Sequence, residues 1–308
     1  MSVVLITGAS SGIGNLTARA LVAAGHTVYA SMRDVAGRNR PAADELLALG
    51  RSQSLDLRVV DLDVRSQESA DAAVAAVIDE AGRLDVVVHN AGHLSLGYTE
   101  AYSAEEMADL LDVNALGAQR INRAALPHMR AQGTGTLVYI GSTTTVSVPP
   151  FLGPYVVSKF AFDALAQVTA YEVAPYGIET VIVMPGAFTR GTNHFAHASG
   201  PADQSVTAEY ADLDHYVASY GEATEGLFAP GSDPDPASVA AEVARVLALP
   251  IGQKPRRTIV DFTQSSVERV TAAAEVEVAD FLTRMGMGEL LQVARRPDAS
   301  GEPSWATT

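Results

Sequence analysis

Val3-Val4-Leu5-Ile6-Thr7-Gly8-Ala9-Ser10-Ser11-Gly12-Ile13-Gly14 opens the chain, and beyond it Leu16, Ala20, Leu21 and Ala24 keep helical spacing up to Gly25. The stretch reads as strand, glycine turn and helix. Glycines permit a tight turn and the close approach of a pyrophosphate, and the free N–H groups and positive dipole end of a helix start favour that anion. Gly8, Ser10, Ser11, Gly12, Ile13 and Gly14 are therefore candidate cofactor contacts. Glycine-rich turns are common, so it is the position directly after an N-terminal strand that gives this one its meaning.

Moving outward, a second strand over Thr27 to Met32 ends where a dinucleotide fold meets the adenosine ribose. An acid there accepts from a free 2′-hydroxyl, and a base pairs with the 2′-phosphate of NADP. Met32 stands where the NAD-selecting acid is expected and Arg33 follows at once, so NADP(H) is favoured. Asp34 keeps NAD(H) as the alternative. Pro41 to Leu49 reads as a helix closed by Gly50, and Leu57 to Leu62 as a third strand ending at Asp63. Ser66 can cap a helix that runs to Ala81 and stops at Gly82, and a fourth strand, Asp85 to His89, runs into Asn90-Ala91-Gly92.

Ser103 and Glu106 form a capping-box pattern that predicts one long helix through Met129, with Asn114 inside it. Thr136 to Ile140 is a fifth strand whose C-terminal end delivers Ser142, the end at which open α/β sheets bind ligands. A helix carrying Tyr155 and Lys159 runs to about Ala174, and a sixth strand, Thr180 to Met184, precedes Pro185-Gly186. From Ala187 to Pro236 no long apolar run appears, which suits a substrate-binding loop or lid. A short last strand at Thr258 to Val260 and an amphipathic helix from Ser265 to Leu291 fall within 251–292, and 293–308 reads as a disordered tail. The expected fold is one domain over 1–292: a Rossmann-type, doubly wound, mostly parallel seven-stranded sheet flanked by helices.

Tyr155 follows Ser142 by thirteen positions and Lys159 follows Tyr155 by four, so the last two share a helix face. A phenol with a pKa of about 10 is a poor acid-base group at neutral pH. A positive charge about 4 Å away lowers it by about three units at an effective dielectric near 20. With the Ser142 hydroxyl holding a carbonyl oxygen within reach, the set suits proton exchange with a carbonyl or an alcohol. Ser142 lies in no Gly-x-Ser-x-Gly elbow, which disfavours a serine hydrolase.

Composition narrows the field further. The 308 residues are 47% hydrophobic and 19% charged, which suits a globular enzyme. A net charge of -15 repels nucleic acid and anionic membranes alike. The absence of cysteine excludes disulfides, thiolate chemistry and cysteine-based zinc sites. His194 and His197 have no further ligand cluster with them, so no metal is expected, and they are read as lining or covering the substrate mouth. No basic leader and no span of about 20 apolar residues is present, so the expected address is the cytoplasm. Without a secretory signal, Asn15-Leu16-Thr17 is read as an ordinary stretch of helix.

Taken together, these motifs resemble the short-chain dehydrogenase/reductase family, in its ordinary single-domain subgroup, over about residues 1 to 190. Thr7 to Gly14 is similar to its cofactor turn, Asp63-Val64 to its adenine contacts, Asn90-Ala91-Gly92 to the segment that steadies its sheet, and Pro185-Gly186 to its nicotinamide turn. Asn114, Ser142, Tyr155 and Lys159 fall on its four catalytic positions. The resemblance implies Tyr155 as acid or base, Lys159 lowering its pKa and binding the nicotinamide ribose, Ser142 polarising the substrate oxygen, and Asn114 anchoring a relay water.

The general run of sequence resembles the NADP-preferring branch of steroid 17-beta dehydrogenases and some retinol dehydrogenases, which implies a small hydrophobic alcohol or carbonyl substrate. It also implies a homodimer or homotetramer. Two departures stand out. His89 replaces a frequent asparagine, with no harm expected, and Arg190 replaces the carboxamide-binding threonine, so Thr189 or Thr192 must serve. A rival reading is a cofactor-sensing binding protein on the same fold, but a sensor has no need of Tyr155 together with Lys159.

Overall fold

A computed structural model of the chain describes residues 1–294. Strand β1 (Val3–Ile6) leads through the glycine turn into α1 (Gly12–Ala23), followed by β2 (Thr27–Met32), α2 (Arg40–Gln53), β3 (Leu57–Asp61), α3 (Gln67–Ala81) and β4 (Val86–His89). Next come α4 (Ala104–Leu111), α5 (Gly117–Gln132), β5 (Gly135–Ile140), the short α6 (Thr144–Ser147), α7 (Gly153–Val173) and β6 (Ile178–Pro185). Short helices α8 (Gln204–Glu209), α9 (Asp214–Ala218) and α10 (Tyr220–Glu225) precede α11 (Ala237–Leu247), β7 (Arg257–Val260) and α12 (Val267–Arg284).

The strands form one sheet in the order β3-β2-β1-β4-β5-β6-β7, and each neighbouring pair is parallel. The sheet expected to be mostly parallel is parallel throughout. Its strands are apolar on both sides because helices cover both faces. Leu5, Tyr29, Val87, Leu137 and Ile182 pack with residues of α3, α5 and α7. The alternate positions Val4, Ile6, Val28, Val88 and Val183 pack with α1, α2 and α11. Strand order reverses between β1 and β4, so a crevice opens beyond their C-terminal ends.

Several boundaries differ from expectation for identifiable reasons. The Ser103 capping box is present, with hydrogen bonds of 2.9 and 3.1 Å, but the helix it opens is not continuous. After α4 the backbone widens into a π turn over Asp112–Leu116 before α5 begins. Asn114 lies in that turn and is 1% exposed. Gly50 does not close α2. It is buried inside the helix, where a Cβ would meet the Leu57 carbonyl at 3.2 Å, and the end falls at Ser54 in the left-handed region.

The 187–236 segment is not bare loop, since it carries α8 to α10. Ala294 donates its N–H to the Ala174 carbonyl at 2.9 Å, so the chain is tied to the body up to that residue. The rest of the expected tail, 295–308, lies outside the described residues. Among the described residues no helix is long and apolar enough to cross a membrane.

Candidate active site

Thr7 joins the two sides of the crevice. Its hydroxyl accepts from the N–H groups of Asn90 (2.9 Å) and Ala91 (3.0 Å). In return, the Asn90 amide donates to the carbonyls of Thr7 (2.9 Å) and Gly8 (3.0 Å). The neighbouring strand thus fixes the shape of the glycine turn. Gly8 and Gly12 have φ of +68° and +55°, a region that favours glycine. A Cβ on Gly14 would lie 2.5 Å from the Gly8 carbonyl and would also collide with the Asn90 amide.

Ser10 is partly buried, Ser11 is exposed, and Ile13 packs on the core beneath the turn. Ser11 caps α1 without a side-chain hydrogen bond, and the first turn carries no acid. Among the described residues its leading N–H groups have no side-chain claimant, which fits the pyrophosphate of a dinucleotide.

The two charges beyond β2 are in different situations. Asp34 has φ 52°, and its carboxylate accepts from the Arg38 N–H at 2.8 Å, so it is spent on its own turn. Arg33 is exposed, and among the described residues its guanidinium has neither a hydrogen bond nor an ion pair. Farther along, the Asp63 carboxylate accepts from the Arg65 N–H at 3.0 Å. Val64 packs where a Cβ on Gly117 would stand 2.9 Å from its own Cβ, so α5 can approach only with glycine there.

The chemistry-bearing side chains gather beyond β5 and β6. Ser142 and Tyr155 are each 6% exposed and Lys159 is 7% exposed. The Ser142 hydroxyl is near enough to the Tyr155 phenol to act on its pKa, and it accepts from the Thr144 hydroxyl at 2.8 Å. Lys159 Nζ donates to the Ile140 carbonyl at 3.0 Å and lies 5.8 Å from the centre of the Tyr155 ring. Asn114 accepts from the His93 N–H at 2.9 Å and donates to the His93 carbonyl at 2.9 Å and the Ser158 hydroxyl at 3.0 Å. Ser158 in turn donates to the Tyr155 carbonyl at 2.7 Å, so Asn114 braces the turn of α7 that carries the phenol.

The charge balance corrects one expectation. Burial pushes the Tyr155 phenol up to about 12, with the neighbouring Ser142 hydroxyl acting against it. Burial also pulls the Lys159 ammonium down to about 8. Desolvation therefore outweighs the expected lowering of the phenol by the lysine, whose ammonium is bonded to a backbone carbonyl instead.

Pro185 and Gly186 are held from both sides: the Pro185 carbonyl accepts from the Thr143 N–H at 3.0 Å, and the Gly186 N–H donates to the Val260 carbonyl at 2.9 Å. The Asp261 carboxylate sits against Gly186 where any side chain would collide. Thr189 is drawn away from this turn, because its hydroxyl donates to Glu225 at 2.9 Å. Thr192, the other candidate, faces Gly12, with its Cβ 3.8 Å from where a Cβ there would stand.

From Thr192 the chain crosses to the far wall, where Ser199 donates its N–H to the Leu94 carbonyl (3.0 Å) and accepts from the Leu96 N–H (2.9 Å). His194 is carried by this strap to Tyr155, ring centres 5.6 Å apart and edge-on. The sequence reading missed His93 and Ser158. Their signals were present, one immediately after Asn90-Ala91-Gly92 and the other three residues beyond Tyr155, but neither has meaning without the inward π turn.

A doubly wound parallel sheet with an anion-ready glycine turn at its switch point defines a dinucleotide-binding enzyme of the Rossmann class. More narrowly, the chain belongs to the short chain dehydrogenase family, whose model matches residues 2–199. It is 34% identical over 210 residues to the 3-ketodihydrosphingosine reductase of Bacteroides thetaiotaomicron, which spans 68% of this chain and 72% of that one. To the 17-beta-hydroxysteroid dehydrogenase type 1 of Homo sapiens it is 38% identical over 190 residues, or 60% of this chain and 56% of that one.

Among solved structures it is similar to a short-chain dehydrogenase from Streptomyces avermitilis, with a TM-score of 0.70 and 31% identity over 92% of this chain and 95% of that one. It is also similar to an alcohol dehydrogenase from Thermococcus sibiricus complexed with 5-hydroxy-NADP, with a TM-score of 0.67 and 26% identity over 86% of this chain and 98% of that one. The chain is thus an oxidoreductase, and these relatives are named as dehydrogenases and reductases.

Proposed function

We propose that the protein is an NADP(H)-dependent oxidoreductase that interconverts a hydrophobic secondary alcohol and its ketone, or acts on an aldehyde, with Tyr155 as the acid and base. The observation that carries this is the convergence of Ser142, Tyr155 and Lys159, all more than nine-tenths buried, beyond the strand ends next to the glycine turn. The turn from Gly8 to Gly14 and the Asn90-Ala91-Gly92 segment would hold the pyrophosphate and ribose side of the cofactor. Asp63 and Val64 would flank its adenine, with Pro185, Gly186 and Thr192 on the nicotinamide side. A nicotinamide bound there supplies or takes up hydride at the carbonyl carbon.

In reduction Tyr155 gives its phenolic proton to the substrate oxygen, and in oxidation it takes that proton back. Ser142 holds the same oxygen. Lys159 steadies the ribose and favours the ionised phenol, and Asn114 fixes the backbone of His93 and the turn of α7, with a relay water beside it. The apolar substrate wall is Leu94, Leu152 and Val156, with Phe195 and Tyr220 packed against them. NADP is favoured over NAD because the Arg33 guanidinium is unclaimed while Asp34 is bonded to its own turn. A dimer or tetramer is favoured by an exposed apolar stripe on α7.

The test follows reduced-cofactor absorbance with NADPH and NADH against ketones and aldehydes. Turnover should be faster with NADPH, Arg33→Ala should lose that preference, and Tyr155→Phe should lose turnover by about 1,000-fold while still binding NADPH. Equal or faster rates with NADH overturn the cofactor assignment, and full activity of Tyr155→Phe overturns the chemistry.

A further inference from the structure

The strap from Gly191 to Ser199 brings into the site a residue that the proposed proton chemistry does not use. Both ends of the strap are fixed. Gly191 has φ +74° and stands where a Cβ would meet the Pro236 ring at 2.8 Å. Ser199 is bonded to the carbonyl of Leu94 and the N–H of Leu96, and its carbonyl also accepts from the Tyr102 hydroxyl at 3.1 Å.

Between these anchors, the His194 N–H donates to the Thr192 hydroxyl at 3.4 Å, and the imidazole turns inward to meet Tyr155 edge-on at 5.6 Å. Phe195 is also beside it, ring centres 6.4 Å apart, and leads into the apolar wall through Tyr220. Lys159 and His93 are the charged and titratable groups that act on His194, and both disfavour its protonation, as does burial. Its pKa falls to about 4, so at neutral pH the ring is uncharged, with one donor and one acceptor.

Among the described residues neither ring nitrogen of His194 has a hydrogen-bond partner. The apolar cluster next to it, Leu94, Leu152 and Val156 with Phe195 and Tyr220, offers it none, and the half-buried ring keeps access to the crevice. A half-buried, unpaired imidazole held beside Tyr155 by a strap fixed at both ends can bond a ligand group without first giving up a protein partner.

We propose that His194 is a specificity-determining residue, which hydrogen-bonds a second oxygen of the substrate on a carbon next to or near the reacting carbonyl. The preferred substrate class is accordingly an apolar ketone with a neighbouring hydroxyl or carbonyl oxygen, its tail lying along Phe195 and Tyr220. The ring spacing suits this, since an imidazole beside Tyr155 reaches by a bond of about 3 Å an oxygen one or two carbons from the one the phenol serves. The inference rests on the proposed reductase reading and deepens it.

The experiment compares methyl octyl ketone with hydroxymethyl octyl ketone, the same chain with a hydroxyl on the carbon beside the carbonyl, using NADPH and wild-type, His194→Leu and His194→Gln proteins. Wild type should favour the hydroxyketone by roughly 10- to 100-fold in kcat/KM, because a site built to bond a hydroxyl rejects the analogue lacking it. His194→Leu should bring the ratio to within about threefold of unity, the loss falling on the hydroxyketone, and His194→Gln should restore part of it.

NADPH binding, read by fluorescence, and the melting temperature report whether each variant is folded and loaded. A ratio in His194→Leu equal to that of wild type overturns the assignment. So does a weakened NADPH affinity with the ratio kept, which would place His194 at the cofactor. If wild type binds NADPH and reduces neither ketone, the reductase reading itself fails and this inference fails with it.

Discussion

At the scale of single residues, burial decides the protonation states that the chemistry needs. With its pKa pushed up to about 12, Tyr155 is protonated at neutral pH, the state that the acid proposed for ketone reduction requires. In alcohol oxidation it must first be ionised, and the ionised share of a phenol grows tenfold per pH unit below its pKa. Lys159 titrates near 8 and favours the phenolate only while charged, so the two groups titrate together. The kcat/KM for oxidation should therefore climb from pH 6 to 8 while that for reduction stays nearly level, and parallel profiles in the two directions would contradict the role of Tyr155. His89 is the second case. It was expected to be harmless, yet it is 2% exposed and among the described residues neither ring nitrogen has a partner. Asn122 acts on the ring to raise its pKa, but its amide nitrogen donates to the Tyr139 hydroxyl at 2.8 Å and its amide oxygen makes no hydrogen bond among the described residues. Burial lowers the His89 pKa from 6.5 to about 3, so between those values the unfolded chain binds a proton that the folded one refuses. Stability is then lost as pH falls through 6.5 toward 3, by about 2 kcal/mol at pH 5. His89→Leu should gain about 2 kcal/mol more at pH 5 than at pH 8 by denaturant unfolding, whatever its packing costs. An equal gain at both pH values would show that His89 is protonated in the fold.

At the scale of elements, the glycine turn works because β4 reaches over to hold it. Gly14 has the Gly8 carbonyl and the Asn90 amide where a methyl group would sit, so Gly14→Ala must push the turn out of shape. The expected result is a loss of about 1–3 kcal/mol in stability, with NADPH affinity reduced at least about tenfold, measured by melting and by cofactor fluorescence. Unchanged NADPH affinity would mean that the cofactor does not use this turn. The turn was legible in the sequence because everything that makes it is local: an apolar strand, the glycines and a helix start within a dozen residues. Tyr155 and Lys159 were legible for the same reason, since helical spacing alone puts them on one face. The π turn at Asn114 was not, because a good capping box and unbroken helical periodicity pass straight across it, and what draws the asparagine inward is a bond to His93 twenty-one residues away. The helices α8 to α10 were missed because they cover the site from outside with few buried residues, so they carry no apolar period to read. The bond that draws Thr189 aside was not legible because nothing near it in the sequence announces Glu225.

At the scale of the whole molecule, a surface stripe and the net charge pull in opposite directions. Val157, Phe160 and Val168 project from α7 at 50%, 45% and 53% exposure, and Leu116 at the end of the π turn adds 46%. These residues follow the helical repeat on the face away from Phe162 and Ala166, which are buried against the sheet, so they do nothing for the fold of a single chain. An exposed apolar stripe of this kind marks an association surface, and two copies related by a twofold axis would set the same stripe against itself. Each copy carries a net charge of -15, so the copies repel one another until salt screens them. An interface held by ion pairs would weaken as salt is added, whereas an apolar one between like-charged chains strengthens. Light scattering at micromolar concentration should therefore give a mass of two or four chains, with the associated share rising between about 0.05 and 0.5 M salt as the Debye length shortens. Phe160→Glu places a charge from each copy in the apolar seam and should leave single chains at every salt concentration, with the circular dichroism spectrum kept because position 160 is exposed. A wild-type mass of one chain at high salt, or a Phe160→Glu protein that still associates, would move the interface off α7.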